Sequence, residues 1–289
     1  MNMNMNMNMN MNAGIDIKRY KQNIIKDNMQ YLNFGPLKNL PFNKCIKNTY
    51  NDGFNVQYTN TFCDVFVFKN TNCINIAESY INSGYRTSVV NMLTDDYDGE
   101  SIPTSRGFVD DIINVRTNLY KSLASQQIPK KGEIIYSRDV TVIRNNKNSI
   151  IPKDFFKIDV LSFISPNRDI KNVTMDDYIF MKEIVEGIFQ TAIKSKSDIL
   201  VLSDFGCTGN SVLMKDVVDI YNMCILKYGY QFKNIIVLLD IKNNDTNMMA
   251  YYFYFLKNII IPQDLVDTQK DEPEQEETFE SQLSKLQSH

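Results

Sequence analysis

The sequence predicts an α/β domain over about Thr61 to Ile241, with a largely parallel sheet covered by helices on both faces. Short apolar runs alternate with amphipathic stretches of helical period, the pattern of strands joined by crossover helices. Several of those runs, Ile158–Ile164 and Asn234–Ile241 among them, are mostly apolar rather than alternating, as strands buried on both faces are. Two runs also empty into polar loops, 94–104 and 203–211, and such sheets hold ligands outside the carboxyl ends of their strands.

Taken in order, Cys63–Phe68 reads as a strand. Cys73–Ser83 carries Ile74, Ala77 and Ile81 at helical spacing, with Gly84 as the stop. Thr87–Leu93 is a second strand, followed by the polar loop. Thr104 or Ser105 can cap a helix that places Phe108, Ile112, Val115, Leu119 and Leu123 on one face. Ile134–Ile143 reads as a strand or hairpin arm, Ile158–Ile164 as a buried strand, and Thr174–Lys194 as a long amphipathic helix. The short strand Asp198–Leu202 runs straight into the second loop, and a helix follows through Val217, Ile220, Cys224 and Ile225. Asn234–Ile241 is the last strand, and the apolar stretch Met248–Ile261 reads as a further core element.

The flanks differ in character. Residues 1–12 are a Met-Asn repeat with no charge and no turn chemistry, a low-complexity disordered tail. Residues 13–60 are polar, broken by Pro36 and Pro41, with a helix expected around Ile15–Tyr31; they form an extension or a docking arm. Residues 61–262 hold the domain, and 263–289 form an acidic tail with eight acids against Lys270 and Lys285. The whole chain carries −3, so the body is nearly balanced and offers no broad basic field for nucleic acid.

Composition also excludes chemistry. The lone histidine is His289, which removes Ser-His-Asp triads, Cys-His dyads, HExxH zinc sites and His-Arg-Asp kinase loops. Catalysis then has to rest on carboxylates, backbone donors or an external metal. Five cysteines (Cys45, Cys63, Cys73, Cys207, Cys224) without a CxxC or signal sequence predict free thiols in a reducing, intracellular setting. No apolar run reaches the ~18–20 residues that span a bilayer, so a soluble protein with no membrane contact is expected.

In the second loop, Ser203-Asp204-Phe205-Gly206-Cys207-Thr208-Gly209-Asn210-Ser211 follows a buried strand and opens a helix. Backbone N–H groups can converge there on an anion, helped by the helix dipole, with Gly206 and Gly209 permitting close approach. Taken alone, two glycines after a strand are a plain tight turn more often than a binding site. The loop lacks a Walker lysine and full GxGxxG spacing, which argues against a nucleoside triphosphate or a dinucleotide. Near the first loop, Asp110 and Asp111 stand at a helix start. The helix dipole alone favours acids there by ~0.3–1 kcal/mol; the alternative is that one protonates a leaving group or orients water.

Read together, these pieces resemble a known family. Val89-Val90-Asn91-Met92-Leu93, Asp98-Gly99, Val109-Asp110-Asp111 and Arg116-Thr117-Asn118-Leu119-Tyr120 are similar to the microbial-type poly(ADP-ribose) glycohydrolase family of macrodomains. That family has an Asn-bearing strand, a Pro-Gly-Gly-Gly loop, a Gln-Glu-Glu at a helix start and then Arg-Ser-Asn-Leu-Tyr. The likeness continues through Tyr136-Ser137-Arg138-Asp139, Ser165-Pro166-Asn167 and Leu200-Val201-Leu202 into Phe205-Gly206-Cys207, so it covers about Thr71 to Ile241.

The resemblance implies a macrodomain-like three-layer α/β/α sandwich with a mostly parallel, mixed sheet. It places Asn91 on the distal ribose, Gly99 in the diphosphate-facing loop, and Gly206, Cys207, Gly209 and Asn210 in the second phosphate loop. Asp111 stands at the catalytic Glu, with Asp110 before it. It implies ADP-ribose or poly(ADP-ribose) as ligand, cleavage of ribose–ribose bonds or a binding-only role, and neither metal nor cofactor. The chain departs from the pattern at Gly99-Glu100-Ser101, at Val109 and in having Asp-Asp for Glu-Glu. A structural or packaging protein that keeps the fold for its surfaces is the reading from another class. Tyr251–Phe255 fit a packed helix or an aromatic wall for adenine.

Overall fold

The computed structural model describes residues 20, 23–56, 63–93, 108–124, 132–151, 155–164, 174–204, 211–239, 254 and 256–258, with the side chains of 108–111 and 211–214 excepted. A helix, α1, covers 23–33. Strand β1 is Ile46–Thr49 and β2 is Asp64–Lys69; α2 is Cys73–Asn82 and β3 is Thr87–Leu93. Then come α3 (Phe108–Arg116), α4 (Leu119–Leu123), β4 (Glu133–Thr141), β5 (Lys157–Ile164) and α5 (Met175–Lys194). The series closes with β6 (Ile199–Ser203), α6 (Ser211–Tyr228) and β7 (Asn234–Leu239).

The seven strands make one mixed sheet in the order β1-β4-β5-β3-β6-β7-β2. From β5 to β2 every pairing is parallel, whereas β4 runs antiparallel to both β1 and β5. Side chains alternate between the faces. Val90, Met92, Leu161, Phe163, Leu200 and Leu202 pack with Ile184, Ile188 and Phe189 of α5 and Tyr221 and Cys224 of α6. Val89, Leu93, Val160 and Val201 pack with Ile74 and Ala77 of α2, Ile113 of α3 and Leu119 and Leu123 of α4. Two helical layers therefore sandwich the sheet, and the expected α/β/α architecture is present.

Local chemistry sets the helix ends. Asn72 caps α2 by accepting from the Ile74 N–H at 2.9 Å. After α2, Gly84 at φ 87 supplies a left-handed residue, and the Gly84 and Tyr85 N–H groups return to Ile81 and Tyr80. Thr174 and Asp177 form a capping box at the start of α5.

The stretch expected as one helix from Phe108 to Leu123 is two. Thr117 Oγ1 donates to the Ile113 carbonyl and accepts from Leu119 N–H, and Thr117 bridges to Val142. Asn118 fixes the break, its Oδ1 accepting from Thr141 N at 2.8 Å while its own N–H donates to the Thr141 carbonyl. The polar N-terminal region also reaches further than an irregular arm. Its residues 46–49 are β1, paired with β4 from Ile46↔Tyr136 to Thr49↔Glu133.

Cys45, Cys63, Cys73 and Cys224 are buried thiols that take part in no disulfide. Among the described residues no helix is long and apolar enough to cross a membrane.

Candidate functional site

Strands β3 and β6 lie side by side and parallel, in register from Thr87↔Ile199 to Val89↔Val201. They end at Leu93 and Ser203, so segments 94–107 and 205–210 both leave the sheet at its carboxyl edge. Helix α3 packs on β3. Its far end is held at the amino end of β5, because Thr117 bridges Val142 just beyond the Thr141↔Lys157 pair. That polarity directs the first turn of α3, with positions Asp110 and Asp111, toward the carboxyl edge. Gly99, Gly206, Cys207, Gly209 and Asn210 lie outside the described residues, as do Glu100, Thr104 and Ser105.

Asn91 is the described member of the expected set. It is fully buried in β3, opposite Ser162 of β5, and its Nδ2 donates to Ser162 Oγ at 3.1 Å. Its Oδ1 has no partner. Alternation from Val89 and Leu93 puts Asn91 on the α3 face, and the same count puts Ser162 and Ser203 there. Three polar residues on three adjacent strands thus lie on this face near its carboxyl edge. On α3, Asn114 is 7% exposed and neither side-chain atom is paired. It follows Asp111 by three positions and Asp110 by four, so the three share one stripe of the helix.

The other end of α3 is pinned by charge and amide groups. Arg116, 3% exposed, donates from Nε to the Arg144 carbonyl at 2.9 Å and from Nη1 to Asn146 Oδ1 at 2.7 Å. Burial pulls the Arg116 pKa below its ordinary value, with Glu78 opposing. Arg144 in turn donates to Asn28 Oδ1 and Asp27 Oδ2 of α1, each at 2.5 Å. Ile24 and Ile25 of α1 pack on Val115.

A second polar cluster sits at the opposite, amino edge of the sheet. Asp159 Oδ2 accepts from Arg86 Nε at 2.7 Å and from the Tyr136 hydroxyl at 2.9 Å, while Oδ1 accepts from Asp139 N–H at 2.9 Å. Arg86 also ties β3 to β6, since its backbone N–H donates to Asp198 Oδ2 at 2.8 Å. Burial opposes the Arg86 charge, but the bond to Asp159 and its field leave the pKa raised. Burial, with the Asp159 charge added, pushes Tyr136 up to about 12. This cluster stitches four strands together at the edge opposite Leu93 and Ser203.

Toward the carboxyl edge, Asn114 was not among the residues the sequence singled out, and Ser203 was read only as the first residue of the second loop. Asn114 interrupts the apolar run Ile112-Ile113-Asn114-Val115 and Ser203 ends an apolar strand, which was the available signal. Tyr254 and Leu256 pack against the α5–α6 core, the packing use of that aromatic stretch; the rest of Tyr251–Phe255 lies outside the described residues.

No family model and no curated protein matches the chain by sequence. Solved structures do match by fold. The poly(ADP-ribose) glycohydrolase of Thermomonospora curvata superposes with a TM-score of 0.67 at 13% identity, over 82% of this chain and 99% of that one. The same organism's enzyme bound to the inhibitor ADP-HPD gives 0.55 at 16% identity, over 66% and 78%. The Deinococcus radiodurans enzyme in complex with ADP-ribose gives 0.54 at 13% identity, over 68% and 85%. The fold is that of the microbial poly(ADP-ribose) glycohydrolases.

Proposed function

We propose that the protein binds ADP-ribose units and hydrolyses the ribose–ribose glycosidic bond of poly(ADP-ribose). One observation carries the reading. Adjacent, parallel β3 and β6 send both candidate phosphate segments out of one edge, in a fold shared with proteins solved in complex with ADP-ribose. Backbone donors of the loops around Gly99 and Gly206 hold the diphosphate, joined by Cys207, Gly209 and Asn210. Asn91, already anchored to Ser162, faces the distal ribose.

Asp111 is the general acid that gives its proton to the leaving ribose oxygen, then the base that takes a proton from the incoming water. Asp110 shapes its field. A reader of ADP-ribose without turnover is the second reading, favoured by Asp standing where a longer Glu is expected.

Calorimetry of the full chain with ADP-ribose tests the ligand, and no heat at millimolar concentration sinks the proposal in favour of a structural role. Shortening of poly(ADP-ribose) chains, compared with Asp111→Asn, tests turnover. Activity by the intact protein and loss in the variant supports the enzyme; equal activity removes Asp111 from its role. Binding without shortening leaves the reader.

A further inference from the structure

We infer that Asn114 and Ser203 are sugar-binding residues, extending the floor begun by Asn91. The inference rests on the ADP-ribose reading above and adds groups that the family resemblance does not supply.

Seven side-chain atoms among the described residues are buried without a hydrogen-bond partner. Four of them, Asn91 Oδ1, both amide atoms of Asn114 and Ser203 Oγ, belong to β3, β6 and the helix that packs on β3. Asn91 is 0% exposed, Ser203 1% and Asn114 7%. A buried amide or hydroxyl left unpaired is costly, and native chains seldom keep one without a use. Nothing in packing asks for an amide at 114. Its neighbours Ile113 and Val115 are buried and apolar, and a leucine suits a helix interior better. At Ser203 the backbone carbonyl already serves the structure, accepting from the Tyr221 hydroxyl at 2.7 Å, while the side-chain hydroxyl serves nothing.

The atom types select the ligand. Asn91 Oδ1 and Asn114 Oδ1 only accept, Asn114 Nδ2 only donates, and Ser203 Oγ does both. A phosphate, which has acceptors only, leaves the two amide oxygens unmet and repelled. Sugar hydroxyls donate and accept at once, and so can satisfy all four atoms. The neutral, polyhydroxylated part of the ligand therefore belongs on this floor, with the anionic part at the loops.

The test is calorimetric titration of the full chain with ADP-ribose in three forms: unaltered, Ser203→Ala and Asn114→Leu. Thermal unfolding of each unliganded form runs beside it. The expected result is an affinity about three- to tenfold weaker in each variant, the size of one or two lost hydrogen bonds. The unliganded melting midpoints should stay level or rise, because a group without a partner has been removed. Ser203→Ala deletes one oxygen and keeps the test open should Asn114→Leu fold poorly. Unchanged affinity in the variants beside a binding unaltered chain overturns this inference alone. A loss of affinity that merely tracks a lower midpoint overturns it too, by assigning both groups to structure. If the unaltered chain takes up no ADP-ribose, the parent proposal fails first and this one with it.

Discussion

The side-chain amide of Asn28 donates to the carbonyl oxygen of Val115, 2.7 Å away, and its Oδ1 accepts from Arg144 Nε. One residue of the N-terminal helix thus serves an orphan carbonyl in the last turn of α3 and a buried guanidinium together. Because α3 carries positions 110 and 111 at its other end, the arm helps set where the helix itself stands. Asn28→Leu strips both partners at once. It should cost about 2–3 kcal/mol, the range for buried groups left unpaired, read as a lower urea midpoint. Poly(ADP-ribose) shortening should fall as well, since a shift of ~1 Å at a catalytic group costs on the order of 10²-fold.

The amino-edge cluster makes the opposite forecast. Asp159→Ala leaves Arg86, the Tyr136 hydroxyl and the Asp139 N–H short of their shared acceptor. Removing one partner of a fully buried pair costs ~3–5 kcal/mol. Arg86 has a side chain 31% exposed and is partly solvated, so about 2–3 kcal/mol is expected here. ADP-ribose affinity at a temperature where the variant is folded should hold, because this cluster lies across the sheet from the loops. A large loss of affinity in a well-folded Asp159→Ala protein contradicts that separation.

Alkaline stability follows from the buried phenols. Burial raises Tyr80, Tyr120 and Tyr136 from 10.0 to about 12, and raises the Cys63 thiol from 9.0 to about 12. In each case the protonated form is favoured by folding. The phenols' contribution is complete below about pH 10 and is lost as pH climbs through 12; the loss from Cys63 begins nearer pH 9. Denaturation midpoints should therefore fall steeply above pH 10. Tyr136→Phe should flatten that slope while costing about 1 kcal/mol at neutral pH for its lost hydrogen bonds. An unchanged slope would remove Tyr136 from the account.

Asp111→Glu restores the methylene by which an aspartate falls short. If reach limits turnover, the variant should shorten poly(ADP-ribose) faster, by up to ~10²-fold, with ADP-ribose affinity little altered. No gain, with the fold intact, points to the loops rather than the acid as the limit.

Much of this architecture was readable because apolar periodicity is a local signal. Thr87–Leu93 coincides with β3, and Thr174 before α5 and Gly84 after α2 act as the stops and caps their residue types predict. What escaped was set by distant partners. Ile46–Thr49 has no apolar run, and becomes a strand only because β4 offers it an edge. The break at Thr117-Asn118 is invisible locally, since the Asn118 side chain chooses its conformation by reaching Thr141. At the carboxyl edge, Asn91 was picked out by the family resemblance and Ser203 was read as the first residue of a loop, whereas Asn114 looks like a single polar lapse in an apolar run.

The strand order has a consequence for how the chain comes into being. β1 and β2 are made first, yet they occupy the two outer edges of the sheet, and neither pairs with the other. Among the described strands β2 pairs with β7 alone, Asp64 opposite Asn234, so it leaves the ribosome long before that partner exists. Synthesis proceeds at ~5–20 residues per second. For that interval the apolar Val65–Phe68 run has no strand to pair with, and its backbone groups and side chains stay open to water.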